Sequence, residues 1–267
     1  MNGMEKIIKK THKKGIKTYS CVGFNINWKD FLDFFSYPEP VEPLKTTSRS
    51  HRRTFKYENG RDSYFIKKYS YFNSHKLKDS VRGFLFQISG AKRQLIQSQR
   101  FKMAGLNVPF PWFVIEKKRG VKKQSLFITP FINAPRLSQV FYSESVSFKD
   151  KTVLFEKVVR DLNKIHQNGI FHRDANIKNM LVQNGKIIWC DLDDVVKSRI
   201  LLFARGRFKD CFKVYRSVAG ALISTGEWDE KGKNRVREIF ESAYRGHSPN
   251  WKKIYIKTDK RYGLKLR

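Results

Sequence analysis

Residues 166–194, HQNGIFHRDANIKNMLVQNGKIIWCDLDD, constrain this chain more than any other stretch. His172-Arg173-Asp174 is followed, at a fixed offset, by Asn179, and the apolar run Ile187-Ile188-Trp189-Cys190 delivers a second carboxylate, Asp191. Met180-Leu181-Val182 and Lys186 to Cys190 read as two short strands. Gln183-Asn184-Gly185 forms their turn, because Asn-Gly accepts the positive φ of a tight hairpin. Such a hairpin returns Asn179 and Asp191 to one end, so the fold has to bring a loop carboxylate, an amide and a second carboxylate together.

H-R-D-x-x-x-x-N is the spacing of a kinase catalytic loop. Phosphoryl transfer to a hydroxyl needs a carboxylate near the attacking oxygen, a role open to Asp174. It also needs oxygen ligands for Mg2+, for which Asn179 and Asp191 are the candidates. The tripeptide alone has the weight of a chance match in so basic a chain. The Asn at the right offset, the hairpin and the second Asp make chance the weaker reading.

The sequence has 267 residues and a formal charge of +31, from 55 Lys and Arg against 24 Asp and Glu. That excess points to a polyanionic partner: nucleic acid, an anionic membrane face or a phosphorylated substrate. A merely solvated surface is the blander alternative. Cys21, Cys190 and Cys211 are scattered and lack metal-ligand spacing, so neither a disulfide framework nor a zinc site is expected, and a reducing cytosol fits. The N-terminus has no apolar h-region and no run of 18 apolar residues occurs, so neither secretion by that route nor a membrane span is expected.

Residues 1–45 read as a basic and aromatic extension. Its first part is either a membrane-surface segment or a frayed tail. Trp28, Phe31, Leu32, Phe34 and Phe35 predict a short aromatic helix that docks on the main domain, and Pro38, Pro40 and Pro43 a linker after it. Residues 46–130 read as a small antiparallel lobe. Thr54 to Tyr57 and Ser63 to Lys67 are strands around Glu58-Asn59-Gly60-Arg61, and Lys67 is chosen over Lys68 as a phosphate-binding lysine. The loop Thr47-Ser48-Arg49-Ser50-His51-Arg52-Arg53 stands where a glycine-rich phosphate loop would lie, yet has no glycine. Arg52 and Arg53 contact phosphates or an anionic substrate, or are simply exposed. A mixed basic segment, 71–88, precedes a helix over 91–104 that carries Gln94 where a kinase places the Glu that pairs with the strand lysine. Trp112 to Glu116 and Ser125 to Thr129 are further strands, and Pro130-Phe131-Ile132-Asn133 a hinge whose backbone suits adenine.

Residues 131–267 read as a mainly helical lobe. The stripe Val153, Leu154, Val158, Leu162 and Ile165 predicts a helix over 152–167, with His166 structural. Helices are expected over 208–223, where Asp210 can bond the catalytic-loop backbone, and over 236–244. The basic tail from Trp251 reads as a short strand or an ordered arm. Asp193 and Asp194 add metal-binding capacity or pair with nearby cations. Together these elements make an α+β, protein-kinase-like bilobal fold, with a small antiparallel-sheet N-lobe and a mainly helical C-lobe.

In this order the chain resembles the bacterial lipopolysaccharide core kinases, which act on heptose or Kdo sugars. The resemblance covers about residues 46–215. It rests on Arg52-Arg53-Thr54, Tyr64-Phe65-Ile66-Lys67, Gly90-Ala91-Lys92-Arg93-Gln94, the segment 105–109, Ser125-Leu126-Phe127-Ile128-Thr129, and His172-Arg173-Asp174 with Asp191-Leu192-Asp193. It implies ATP- and Mg2+-dependent phosphorylation of an inner-core sugar hydroxyl at the cytoplasmic face of the inner membrane. Asp174 would be the base, Asn179 and Asp191 the metal ligands, and Lys67 the phosphate-binding lysine. Lipid-linked core sugar and an anionic leaflet would be the partners, with nucleic acid and an obligate protein partner not expected.

Two local features agree. Ser/Thr protein kinases carry Lys two residues after the catalytic Asp, where this chain has Asn176. No Ala-Pro-Glu segment follows Asp191, which leaves little room for a peptide-binding segment. The competing readings are an aminoglycoside-type phosphotransferase, whose cationic substrates disfavour so basic a protein, and an inactive kinase-like basic binding protein.

Overall fold

The computed structural model describes residues 6–12, 15–24, 26–36, 40–41, 43–46, 52–60, 62–70, 88–119, 122–198, 203–245 and 249–263. The segment 47–51 of the glycine-free loop and residues 71–87 lie outside them. The chain divides into two compact units: residues 1–99 with 109–133, and residues 100–108 with 134–267.

The first unit is built on an antiparallel sheet. Its strands are β1 (Ile7–His12), β2 (Ile16–Cys21), β3 (Lys45–Thr46), β4 (Arg52–Asn59), β5 (Asp62–Ser70), β6 (Phe113–Arg119) and β7 (Lys122–Pro130), in the order β1-β2-β6-β7-β5-β4-β3. A 3-10 helix, Trp28–Phe35, is capped by Asn27 and buries Phe31, Phe34 and Phe35. These rings pack with Phe55, Ile66, Phe113, Ile115, Leu126 and Ile128 on one face of the sheet. The expected aromatic helix is therefore present, and its three phenylalanines are what docks it.

The first turns of helix α1 (Gly90–Met103) lie on the other face. The Ala91 amide donates to Ser125 Oγ at 3.4 Å, and Lys92 Nζ sits over the Tyr19 ring at 5.1 Å. Gly90 approaches Tyr69 so closely that a Cβ would come within 2.4 Å of its ring. Residues 7–21 depart from the expected tail. β1 pairs antiparallel with β2, Gly15 just before β2 has φ 71°, and β2 pairs with β6, Tyr19 opposite Val114. The isoleucines too few for a helical stripe are in strands, where period two rather than 3.6 decides burial.

The second unit holds α2 (Leu137–Tyr142), α3 (Phe148–Gln167), β8 (Ile170–Phe171), β9 (Met180–Gln183), β10 (Lys186–Trp189), β11 (Val196–Lys197), α4 (Phe203–Ser224), α5 (Glu230–Ala243) and α6 (Trp251–Arg261). Its core joins Phe155 to Phe240, and Tyr215 to Trp228, Phe240 and Tyr255. The tail expected as a strand or arm is the helix α6. Asn250 accepts from the Lys253 amide to start it. Ile254 and Thr258, one turn apart, bury on one side, and Asp259 there meets Arg237. The fold class is the one read from the sequence, an antiparallel sheet unit and a mainly helical one.

The Lys151 side chain is fully buried and bonds Glu227 at 2.5 Å. Glu227→Ala strands that ammonium in the core, so urea unfolding of the variant should show a loss of about 3–5 kcal/mol.

Candidate active site

Two short ladders frame the loop 172–179. β8 pairs with β11, Phe171 opposite Val196, and the Ser198 amide donates to the Gly169 carbonyl at 3.0 Å. β9 pairs with β10, Trp189 opposite Met180, through a two-residue turn in which Asn184 and Gly185 have φ of 50° and 67°. That is the Asn-Gly hairpin expected from the sequence. The Cys190 amide closes its open end on the Asn179 carbonyl at 2.8 Å. Asn179 and the residue preceding Asp191 are thus hydrogen-bonded neighbours.

One stripe of α4 holds the loop from below. Asp210 is fully buried, and its carboxylate accepts from the His172 and Arg173 amides, both at 2.7 Å. Lys213 donates to the Arg173 carbonyl at 2.7 Å and to Asp174 Oδ1 at 2.5 Å. Ser217 Oγ accepts from the Ile177 amide at 3.5 Å. These side chains recur at i, i+3 and i+7, one face of a helix. They grip a backbone that would not hold itself: Arg173 is at φ 64° and Asp191 at φ 54°, a region costly for residues with a Cβ and concentrated at functional sites.

His166 completes the support. Its Nε2 lies 3.2 Å from Asp210 Oδ2, and its Nδ1 lies 2.7 Å from the Tyr244 hydroxyl. A carboxylate only accepts, so Nε2 carries the hydrogen and Nδ1 takes the tyrosine O–H, the pattern of a neutral imidazole. Burial holds the His166 pKa below its ordinary value, against the opposing pull of Asp210. The structural role read from the sequence fits this network. His172 is buried between the rings of Phe101 and Trp189, and its Nδ1 accepts from the Asp174 amide at 3.3 Å.

Asp174 is half-buried at the end of this scaffold. Asn179 Nδ2 donates to its Oδ2 and to its carbonyl, each at 3.0 Å. Burial pushes the Asp174 carboxyl up. The Lys213 ammonium, helped by Asn179 and His172, outweighs that and holds it below its ordinary value. With both amide hydrogens of Asn179 turned toward Asp174, its Oδ1 is the atom left for a cation. Asp191 is exposed and could supply a second oxygen donor, while Asp193 is buried. Among the described residues no cluster of three or more His, Cys, Asp or Glu forms a ready-made metal site. One amide oxygen and one carboxylate suit Mg2+, which takes few protein ligands and completes its shell with water and phosphate.

Lys67 belongs to the first unit. It faces Phe127 across β5 and β7, with Nζ 5.8 Å from the centre of the Tyr69 ring. This register puts it on the face that α1 covers, whereas Lys68 alternates to the aromatic-core face with Ile66. Gln94 shares the buried stripe of α1 with Ala91 and Leu95. The structure thus brings Asp174 and Asn179 into contact and Asp191 beside them, and places Lys67 in the other unit. Sequence reading did not single out Lys213. Its signal is positional, three residues after Asp210 on the same helix face.

The profile of the lipopolysaccharide kinase (Kdo/WaaP) family matches residues 44–240, well over half of the sequence. This chain belongs to that family. It is 24% identical over 151 residues to the KEOPS complex subunit Bud32 of Pyrococcus abyssi, a match covering 54% of this chain and 64% of the relative. It is 30% identical over 108 residues to the 3-deoxy-D-manno-octulosonic acid kinase of Vibrio vulnificus strain CMCP6, covering 39% of this chain and 44% of that one. A second V. vulnificus kinase of that name, from strain YJ016, is 28% identical over 92 residues. The chain therefore spans less than two thirds of the length of these relatives.

The sign of a pH effect follows from His166. Its folded pKa lies below its ordinary value of 6.5, so on acidification the unfolded chain protonates first and stability is lost. Stability should hold above about pH 6.5 and fall as pH drops below it. In urea titrations, that acid-side slope should be shallower for His166→Gln than for the parent protein.

Proposed function

We propose that this protein is a kinase that transfers the γ-phosphoryl group of ATP, with Mg2+, to a sugar hydroxyl of the lipopolysaccharide inner core. The observation that carries this reading is the Asp174–Asn179–Asp191 arrangement on the Asp210-anchored loop, in a chain of the Kdo/WaaP family. Asp174, held ionised, accepts the proton of the attacking hydroxyl. Asn179 Oδ1 and Asp191 would hold Mg2+, which when bound would supply neutralisation of phosphate charge. Lys67 is the proposed phosphate-binding lysine, and Gln94 offers it no carboxylate. The names of the V. vulnificus relatives favour Kdo over heptose as the first acceptor to test.

An anionic membrane surface is the proposed setting, at the cytoplasmic face of the inner membrane. The support is a basic and aromatic surface on α4 and α6. Phe208 and Phe212 stack at 6.1 Å, Lys253 and Lys257 lie over Phe208, and Lys257 and Arg216 over Phe212. The two helices carry ten Lys and Arg, and their acids, Asp210 and Asp259, are both buried. Each such cation adds on the order of 1 kcal/mol at an anionic leaflet. No described helix is long and apolar enough to cross a membrane.

Purified protein, labelled ATP and Mg2+ should phosphorylate a lipid-linked Kdo acceptor lacking phosphate, with mass spectrometry placing the group. Asp174→Ala should lower the rate by at least about 100-fold while circular dichroism shows an unchanged fold. Chelation of Mg2+ should abolish transfer. A folded, fully active Asp174→Ala would remove Asp174 from the base role. Absence of transfer to both Kdo and heptose acceptors by the parent protein would remove the sugar reading.

A further inference from the structure

We infer that Lys213 is a catalytic residue whose ammonium binds the transferring phosphoryl group, taking from helix α4 the role that protein kinases give to the lysine two residues after the catalytic Asp. The inference rests on the kinase reading of Asp174 and deepens it. In the loop itself that position is Asn176, whose Oδ1 accepts from the Lys178 amide and starts the 3-10 turn Ile177–Asn179. Asn176 is therefore used as a cap and brings no charge.

Lys213 does bring one. Its Nζ lies 2.5 Å from Asp174 Oδ1 and 2.7 Å from the Arg173 carbonyl. An ammonium has three N–H groups, and these two contacts leave a third for a ligand oxygen. A carboxylate has about four lone-pair positions. Lys213 uses one on Oδ1 and Asn179 one on Oδ2, so each oxygen keeps one for the attacking hydroxyl. A hydroxyl bonded to Asp174 has its phosphoryl target as the next atom along, within reach of the cation already seated there. Lys213 is only partly exposed, and its stem is fixed by the helix that also carries Asp210. The charge therefore stands in place before the reaction, which is what makes electrostatic stabilisation effective.

The step balances. The acceptor oxygen forms a bond to the γ-phosphorus, and the bond from that phosphorus to the bridging oxygen breaks. The electron pair leaves with ADP, and the hydroxyl proton passes to Asp174. Lys213 donates a hydrogen bond to an equatorial phosphoryl oxygen and keeps its proton.

The alternative is that Lys213 only holds Asp174 in place. Affinity for a transition-state mimic, ADP–Mg2+–aluminium fluoride, separates the two without needing the sugar acceptor. Lys213→Met should weaken the mimic by about 10- to 100-fold, the worth of one charge-assisted hydrogen bond, while ADP–Mg2+ affinity stays within about threefold. The same loss should persist in an Asp174→Asn background, and Lys213→Arg should recover most of it. A loss that vanishes when Asp174 is replaced means Lys213 acts only through Asp174 and overturns the inference, as does an unchanged affinity in folded Lys213→Met. Lys213-dependent mimic binding without transfer to Kdo or heptose would sink the acceptor reading alone. A parent protein that binds neither ADP–Mg2+ nor the mimic would sink both.

Discussion

The buried carboxylate of Asp210 is the interaction on which the candidate site depends. A loop that turns through a positive-φ arginine cannot satisfy its own amides in a regular ladder, and buried amides without acceptors are costly. Asp210 takes two of them, His172 and Arg173, with the full charge of a carboxylate in a dry setting. A carboxylate so buried needs donors on its other side, and the neutral His166, itself bonded to Tyr244, provides one. The loop is thus tied through α4 to α3 and to the end of α5 before any ligand arrives.

That anchoring explains how the reacting groups can be few. Asp174 and Asn179 touch through the amide, and the Cys190–Asn179 hydrogen bond brings Asp191 alongside. The positive charge of the chain has a local counterpart in this arrangement. Burial pushes the Asp174 carboxyl up, and the Lys213 ammonium outweighs that and holds it below its ordinary value.

Much of this was legible in the sequence because the informative segments are local. The Asn-Gly turn fixes the β9–β10 hairpin, the hairpin fixes the neighbours of Asn179, and Asp210 could be read from its place near the start of an apolar helix. The choice of Lys67 over Lys68 becomes a matter of register, since β5 alternates between the α1 face and the aromatic face. What the sequence hid was non-local. Pairing of β2 depends on β6, far along the chain, and the surrounding lysines mask the burial of Ile16, Thr18 and Cys21. The α6 helix is amphipathic but dense in Lys and Arg on its outer half, so its buried side is visible only once Ile254 and Thr258 have something to pack on. Lys213 is one lysine among many, and only the distance to Asp174 singles it out.

Helix α4 joins two groups of side chains on different faces of a single rod. Asp210, Lys213 and Ser217 face the loop, while Phe208, Phe212 and Arg216, on another face, carry the stacked rings and their cations. A helix of this length is about 33 Å long and bends little over a few turns. The contacts that hold Asp174 and the basic outer surface consequently share one frame of reference. Anything that came to rest against the phenylalanines would stand at a set height and tilt to the Asp174 loop, in the way a jig fixes the reach of a tool.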